Sequence, residues 1–183
     1  MFERFELLIG NKINTLKEKT VLLVGLGGVG GYAFESLVRS GIGTIIIVDN
    51  DTFDITNLNR QILATTSSIN KYKVDIAEER KNIINKETKI IKIKEFIEEK
   101  NINILFKENI DFVIDAIDTI KTKEIIIKEC LKRKIKFISI MGTGGKTDAS
   151  KLEITDLSKT TYDPKVFIKR NKKYGRNNLR NWN

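Results

Sequence analysis

Gly25, Gly27 and Gly30 form G-x-G-x-x-G in VLLVGLGGVGG, directly after a β-branched run and directly before a helical pattern. Glycine lets the backbone turn tightly and come close to a phosphate, which then rests on the unpaired N–H groups and positive end of the helix that follows. Asp49 ends the next apolar run about 20 residues on, where an acidic side chain takes ribose hydroxyls. These residues suit two chemistries equally: a dinucleotide held for hydride transfer, or a nucleoside triphosphate held for phosphate chemistry. A turn that only packs a helix on a strand is the bland alternative.

The segment beyond Asp49 separates the two. Asn50, Asp51 and then TNLNRQ over 56–61 place acids, amides and one guanidinium just past the second apolar run. Hydride transfer wants a nicotinamide pocket and a proton donor, and this loop offers a second carboxylate and a fixed cation instead. Arg60 suits bidentate contact with terminal phosphates, and Lys73, opening the next helical pattern, adds a second positive charge. Asp118, at the end of DFVIDAID, is a natural magnesium ligand. Asp118 would serve equally as a helix N-cap, and Lys73 as a solvated helix charge. Taken together, metal ion, Arg, Lys and helix N-terminus around a triphosphate is how phosphate chemistry is stabilised electrostatically.

Apolar periodicity along the chain alternates between two modes, which predicts an α/β, Rossmann-like fold: a mostly parallel twisted sheet with helices on both faces. Strands are expected at 21–25, 44–49, 89–93, 111–116 and 136–141. Helices are expected at 29–40, 73–85, 98–107 and 119–134. Continuous apolar strands fit burial on both faces. KLEITDL reads as a further, alternating strand, and Asp163-Pro164 as the start of a last helix. No linker divides the 183 residues, so one domain over 1–183 is expected, with 165–183 as a basic tail.

Composition narrows the chemistry. With no histidine, the chain has no Ser/His or Cys/His nucleophile pair and no His-ligated metal. One cysteine, Cys130, makes neither a disulfide framework nor a Cys-rich zinc site. It lies among Ile125, Ile126, Ile127 and Leu131 in a helical pattern, as a small core residue would. A net charge of +9 and pI near 9.5 point to a polyanionic partner, although Lys, Ile and Asn enrichment alone would produce such a balance. With no cationic-then-apolar leader and no apolar run of about 18 residues, a soluble cytoplasmic protein is expected.

GLGGVG, the acids Asp49 and Asp51, NLNRQ, Lys73 and DAID resemble the adenylating domain of the ubiquitin-activating-like (ThiF/MoeB) enzymes. RFELLIG, RSGIG, TNLNRQI, DAID, GTGGKTD and ITDLSKTTYDP, in that order, are similar to the tRNA threonylcarbamoyladenosine dehydratase subfamily. The resemblance covers residues 4 to about 170. It implies ATP and Mg²⁺ as cofactors and tRNA as partner. Gly28 would lie against the nucleotide and Asp49 on its ribose, with Asn57, Arg60 and Lys73 at the phosphates and Mg²⁺ on Asp118. Arg4 matches an arginine that reaches into the partner subunit's site, which implies a homodimer. The family also admits sulfur-transfer proteins as partners. Its members continue with further strand and helix, so the C-terminal part is expected to be cut short here.

The implied reaction is ATP-dependent activation of the threonylcarbamoyl carboxylate on a tRNA adenosine, then ring closure by the substrate's own urea nitrogen, with net loss of one water. Intramolecular attack needs mainly positioning, which fits a site without histidine or nucleophilic cysteine. The runner-up is adenylylation of a ubiquitin-like sulfur carrier, and the non-enzymatic alternative an inactive remnant. GTGGKT over 142–147 imitates a phosphate loop, but Ile140 stands where G-x-x-x-x-G-K-[ST] requires glycine. The 19 residues of 165–183 carry seven Lys or Arg and no acid, either a tRNA-facing arm or a frayed end.

Overall fold

Parallel strands that feed right-handed crossovers need helices on both faces, and this chain supplies them. A computed structural model describes residues 2–142, 147–156 and 159. The elements are α1 (Glu3–Ile9), α2 (Lys12–Lys17), β1 (Thr20–Val24), α3 (Gly28–Arg39), β2 (Thr44–Val48), α4 (Lys73–Ile84), β3 (Lys89–Ile93), β4 (Phe112–Asp115), α5 (Ile120–Arg133) and β5 (Lys136–Ser139). The five strands form one sheet in the order β3-β2-β1-β4-β5, every pair parallel. Chain order therefore reverses between β1 and β4, and the crevice at their carboxyl ends is where such sheets bind ligands. Met1–Ile140 forms one compact unit and Met141–Asn183 a second.

Alternation along the strands sorts the core into two layers. Val21, Leu23, Ile45 and Ile47 pack with Phe34 and Val38 of α3 and with Val74 and Ala77 of α4. Leu22, Val24, Ile46 and Val113 turn to the other face, against Ile126 and Cys130 of α5. Burying the central strands on both faces makes them uniformly apolar, which is why their limits were predicted almost to the residue. Between α3 and α4, Glu35 accepts hydrogen bonds from Arg39 and from Arg80, at 2.6–3.0 Å. The Arg80 guanidinium, foremost, holds the Glu35 carboxyl below its ordinary range.

Two expected elements take another form. The helix at 98–107 is a short 3-10 turn, Ile102–Phe106. Asn101 accounts for this: its Oδ1 accepts from the Glu98 N–H at 2.8 Å and its Nδ2 donates to the Phe96 carbonyl at 3.0 Å. A side chain that binds local backbone competes with helix formation. Ile102 and Leu105 then bury at a spacing of three, the period of a 3-10 turn. Nor do the described residues of KLEITDL form a strand. Asp148 caps a 3-10 turn, Ala149–Lys151, and residues 152–156 follow without a sheet partner among the described residues. Leu152 and Ile154, the apolar half of the alternation, are exposed. The expected helix after Asp163, the glycine loop at 143–146 and the tail at 165–183 lie outside the described residues.

Candidate active site

The ladder carries past the strand ends and fixes the residues that follow them. Gly25 donates to the Val48 carbonyl at 2.8 Å, Ala116 to that of Val24 at 2.8 Å, and Asp49 to that of Ile93 at 3.2 Å. The glycine loop, the acid after β2 and the turn after β4 thereby meet at one edge, on either side of the point where strand order reverses. Gly25 has φ +93°, and a Cβ on it would lie 2.9 Å from the Ala116 carbonyl oxygen. Gly27 caps α3 in extended conformation, and α3 begins at Gly28. Gly30 closes the loop from inside the helix, its missing Cβ falling 1.9 Å from the Gly25 carbonyl oxygen.

Asp49 holds this loop. Its Oδ2 accepts from the Leu26 N–H at 2.7 Å and its Oδ1 from the Asp51 N–H at 2.9 Å. Burial pushes its carboxyl above the ordinary value of 3.8, against the pull of those two N–H donors and of Lys73. Residues 52–72 leave the edge and fold back, pairing Thr52 with Tyr72 and Phe53 with Ile69 around a buried Phe53. That excursion returns Lys73, the first residue of α4, to the acids. Its Nζ lies 2.9 Å from Asp51 Oδ2 and 3.9 Å from Asp49 Oδ1, and its side chain is only 7% exposed. A lysine so deeply placed needs compensating charge, and the two carboxylates supply it.

The same excursion carries NLNRQ. Asn57 ends a 3-10 turn, Ile55–Asn57, and its Oδ1 accepts from the Asp54 N–H at 3.1 Å. Arg60 is exposed; its Nη1 donates to the Thr56 carbonyl at 2.9 Å and to Asn59 Oδ1 at 3.0 Å. Its stem lies over the helix start, the Arg60 Cγ 3.7 Å from where a Gly28 Cβ would stand. Asp118 is exposed in the turn between β4 and α5, and the N-cap position falls one residue later, on Thr119. Arg4 does not join this group. It is an exposed residue of α1, two positions from Phe2, whose ring packs on Gly41 at the amino end of β2.

Four residues given no role from the sequence lie at or beneath the edge. Asp115, the last residue of β4, is fully buried, with Lys123 Nζ at 3.0 Å and the Ser139 hydroxyl donating to it at 2.6 Å. The one available signal was a carboxylate ending an otherwise apolar strand with a lysine eight residues on. Gln61, part of the quoted motif but given no role, is 7% exposed, and its Oε1 has no hydrogen-bond partner.

Chemically, the edge offers a glycine-lined helix N-terminus, a buried ammonium, an exposed guanidinium and the exposed carboxylates of Asp51 and Asp118. Among the described residues no three Cys, Asp or Glu side chains gather to cage a metal. A single carboxylate fits Mg²⁺, which is commonly held by one or two carboxylates together with substrate phosphates. Cys130 is no nucleophile, since burial in the α5 face of the core pushes its thiol up to about 12. No helix among the described residues is long and apolar enough to cross a membrane.

Known proteins are similar to this chain in sequence and in fold. The tRNA threonylcarbamoyladenosine dehydratase of Bacillus subtilis is 46% identical over 172 residues, 93% of this chain and 68% of that protein. Its Escherichia coli counterpart is 35% identical over 158 residues, 86% of this chain and 59% of that protein. The crystal structure of the E. coli enzyme, TcdA, in complex with ATP superposes with a TM-score of 0.90 at 32% identity, covering 94% of this chain and 73% of that one. The model of the ThiF family matches residues 3–176. Because that match spans nearly the whole chain and the B. subtilis relative is 46% identical, the chain belongs to the ThiF family.

Proposed function

We propose that the protein is an ATP-dependent tRNA threonylcarbamoyladenosine dehydratase. The observation that carries this reading is Lys73: an ammonium buried at the carboxyl edge, beside the two acids that follow β2, suits a polyphosphate. The glycine face, with no side chain of its own, would admit the phosphates to the N–H groups of α3. Asp49 would take the ribose. Lys73, Arg60 and Asn57 would neutralise or bind the phosphate oxygens, and Asp118 would hold Mg²⁺. The metal ion supplies charge stabilisation at those oxygens when bound.

What the residues then do is orient. The substrate carboxylate must meet the activated phosphorus, and the urea nitrogen must next meet the carboxyl carbon. A C–N bond forms, the C–O bond to the activating group breaks, and the nitrogen loses its proton. Holding both partners on one molecule makes the ring closure unimolecular, which can supply several kcal/mol without a protein nucleophile. A core thiol such as Cys130 gives no route to a thioester, in keeping with this chemistry. A tRNA-modifying reaction is in keeping with a cytoplasmic protein. The test is mass spectrometry of nucleosides from tRNA incubated with protein, ATP and Mg²⁺. The modified adenosine is expected to lose one water. An unchanged nucleoside beside adenylylation of a ubiquitin-like carrier protein would overturn the reading.

Arg4 completes the site from a second copy in this proposal. Helix α1 has no buried residue, exposes Leu7 and Leu8, and starts at the opposite edge of the sheet. A symmetric dimer would cover those leucines and carry Arg4 to the partner's phosphates. Mixing inactive Arg4→Ala with inactive Arg60→Ala is then expected to restore part of the activity, because one heterodimer site keeps both residues. Verified subunit exchange without recovery would reject the role in trans.

A further inference from the structure

We infer that Lys123 is a positioning residue: through Asp115 and Ser139 it locks the 115–118 turn against the glycine loop, and so sets where Asp118 stands. The inference rests on the reading above that Asp118 holds Mg²⁺. Each oxygen of the Asp115 carboxylate is engaged. Oδ2 takes Lys123 Nζ at 3.0 Å and the Ser139 hydroxyl at 2.6 Å, and Oδ1 accepts from the Ile117 N–H at 3.3 Å. Lys123 lies one turn into α5 and Ser139 ends β5, so the three residues tie a strand end, a helix start and a neighbouring strand to one turn. That turn is pinned from its other side too. A Cβ on Gly25 would meet the Ala116 carbonyl oxygen at 2.9 Å and Ile117 Cγ2 at 3.0 Å, and one on Gly30 would meet Ala116 Cβ at 3.4 Å. Residues 116 and 117 are thus held between the phosphate loop and the buried network, and Asp118 is the next residue along.

Folding alone does not call for this network. Asp115 is 0% exposed and the Lys123 side chain 8%, and such buried pairs are often replaced by apolar residues with no loss of stability. An apolar set would pack between β4, β5 and α5 as well. It would not accept the Ile117 N–H, and the turn would be left to drift. Placement errors of about an ångström at a site of this kind cost of the order of a hundredfold in rate.

Calorimetric titration of the full chain with ATP, with Mg²⁺ and with the metal chelated, tests the inference without relying on turnover. The readout is the ratio of the two dissociation constants. Asp118→Asn is expected to lose most of the gain that Mg²⁺ gives the wild type. The paired replacement of Asp115→Leu with Lys123→Met is expected to keep the metal-free affinity within about twofold while also losing most of the gain. Its kcat should fall about tenfold or more with a smaller change in KM for ATP. Ser139→Ala removes one donor and strands no charge, so it should lose part of the gain. If Asp118→Asn loses the gain and the paired variant keeps it, the positioning role is overturned and the metal role stands. If Asp118→Asn keeps the gain, both fall. Should the paired variant not fold, Ser139→Ala decides, and an unchanged ratio there overturns the inference.

Discussion

Lys73→Met is expected to lower kcat/KM for the modified tRNA about a thousandfold and to weaken ATP binding, with the protein still folded. Methionine keeps most of the length and apolar stem of lysine, so α4 can still start against the edge. What disappears is the charge between Asp51, 2.9 Å away, and Asp49, 3.9 Å away. A preorganised charge-assisted contact to a reacting phosphate in a shielded site accounts for about a hundred to a thousandfold in rate. Without Lys73, two carboxylates would also face the incoming phosphates with nothing between, which adds repulsion to the lost attraction. Burial already pushes the Asp49 carboxyl up, and removing Lys73 removes one of the influences holding it down. Lys73→Arg should recover little, because a planar guanidinium cannot take the place of a compact ammonium between two fixed acids. Quantifying the dehydrated nucleoside over time and titrating ATP by calorimetry check both halves. A loss of less than tenfold would show that Lys73 serves the acids and not the phosphates.

The placement of most candidate residues was legible because they follow strand ends. Once VLLV and TIIIV are strands, Gly25 and Asp49 must lie at the carboxyl edge, whatever the rest does. Lys73 was harder: it is 24 residues beyond Asp49, and only the fold-back through Thr52, Tyr72 and Phe53 explains its return. The sequence signals a helix start there but does not encode the bridge. Asp115 was missed for a different reason. Read as part of DFVIDA it is a polar residue closing a strand, and nothing local says that a lysine eight residues on and a serine on another strand will meet it. Pairings across separate elements depend on strand order, and strand order emerges only from the whole sheet. The helix expected at 98–107 failed on a local rule instead. Its apolar spacing suits a helix, but Asn101 offers the backbone a competing set of bonds. Such competition was visible in principle, since asparagine in mid-helix is a recognised source of it.

The glycines give the second large effect, and here the molecule distinguishes between positions that look alike in GLGGVG. Gly30→Ala is expected to destabilise the protein by about 3 kcal/mol or more, lowering Tm by roughly 10 °C, and to abolish ATP binding. The new Cβ would fall 1.9 Å from the Gly25 carbonyl oxygen and 2.7 Å from its carbon, both backbone atoms that no rotamer change can move aside. Gly25 cannot retreat. The space a Cβ would take on its far side is occupied by the Ala116 carbonyl at 2.9 Å, and its own φ of +93° is one that few other residues adopt. The strain therefore passes to the Leu26 N–H and loosens its 2.7 Å bond to Asp49, the contact that holds the loop to the second strand. Gly28→Ala is the control. Its Cβ would meet nothing closer than Arg60 at 3.7 Å, an ordinary contact, so Tm should stay within about 2 °C of wild type. The methyl group would nevertheless stand at the helix start proposed to take the nucleotide, and ATP affinity should fall at least tenfold, since overpacking a close contact costs upwards of about 1 kcal/mol. Thermal melts and ATP titrations on the two variants separate a glycine needed by the fold from one needed by the ligand. Equal melting temperatures would show that the fold does not need glycine at position 30, and full ATP affinity in Gly28→Ala would show that the phosphates do not lie along this loop.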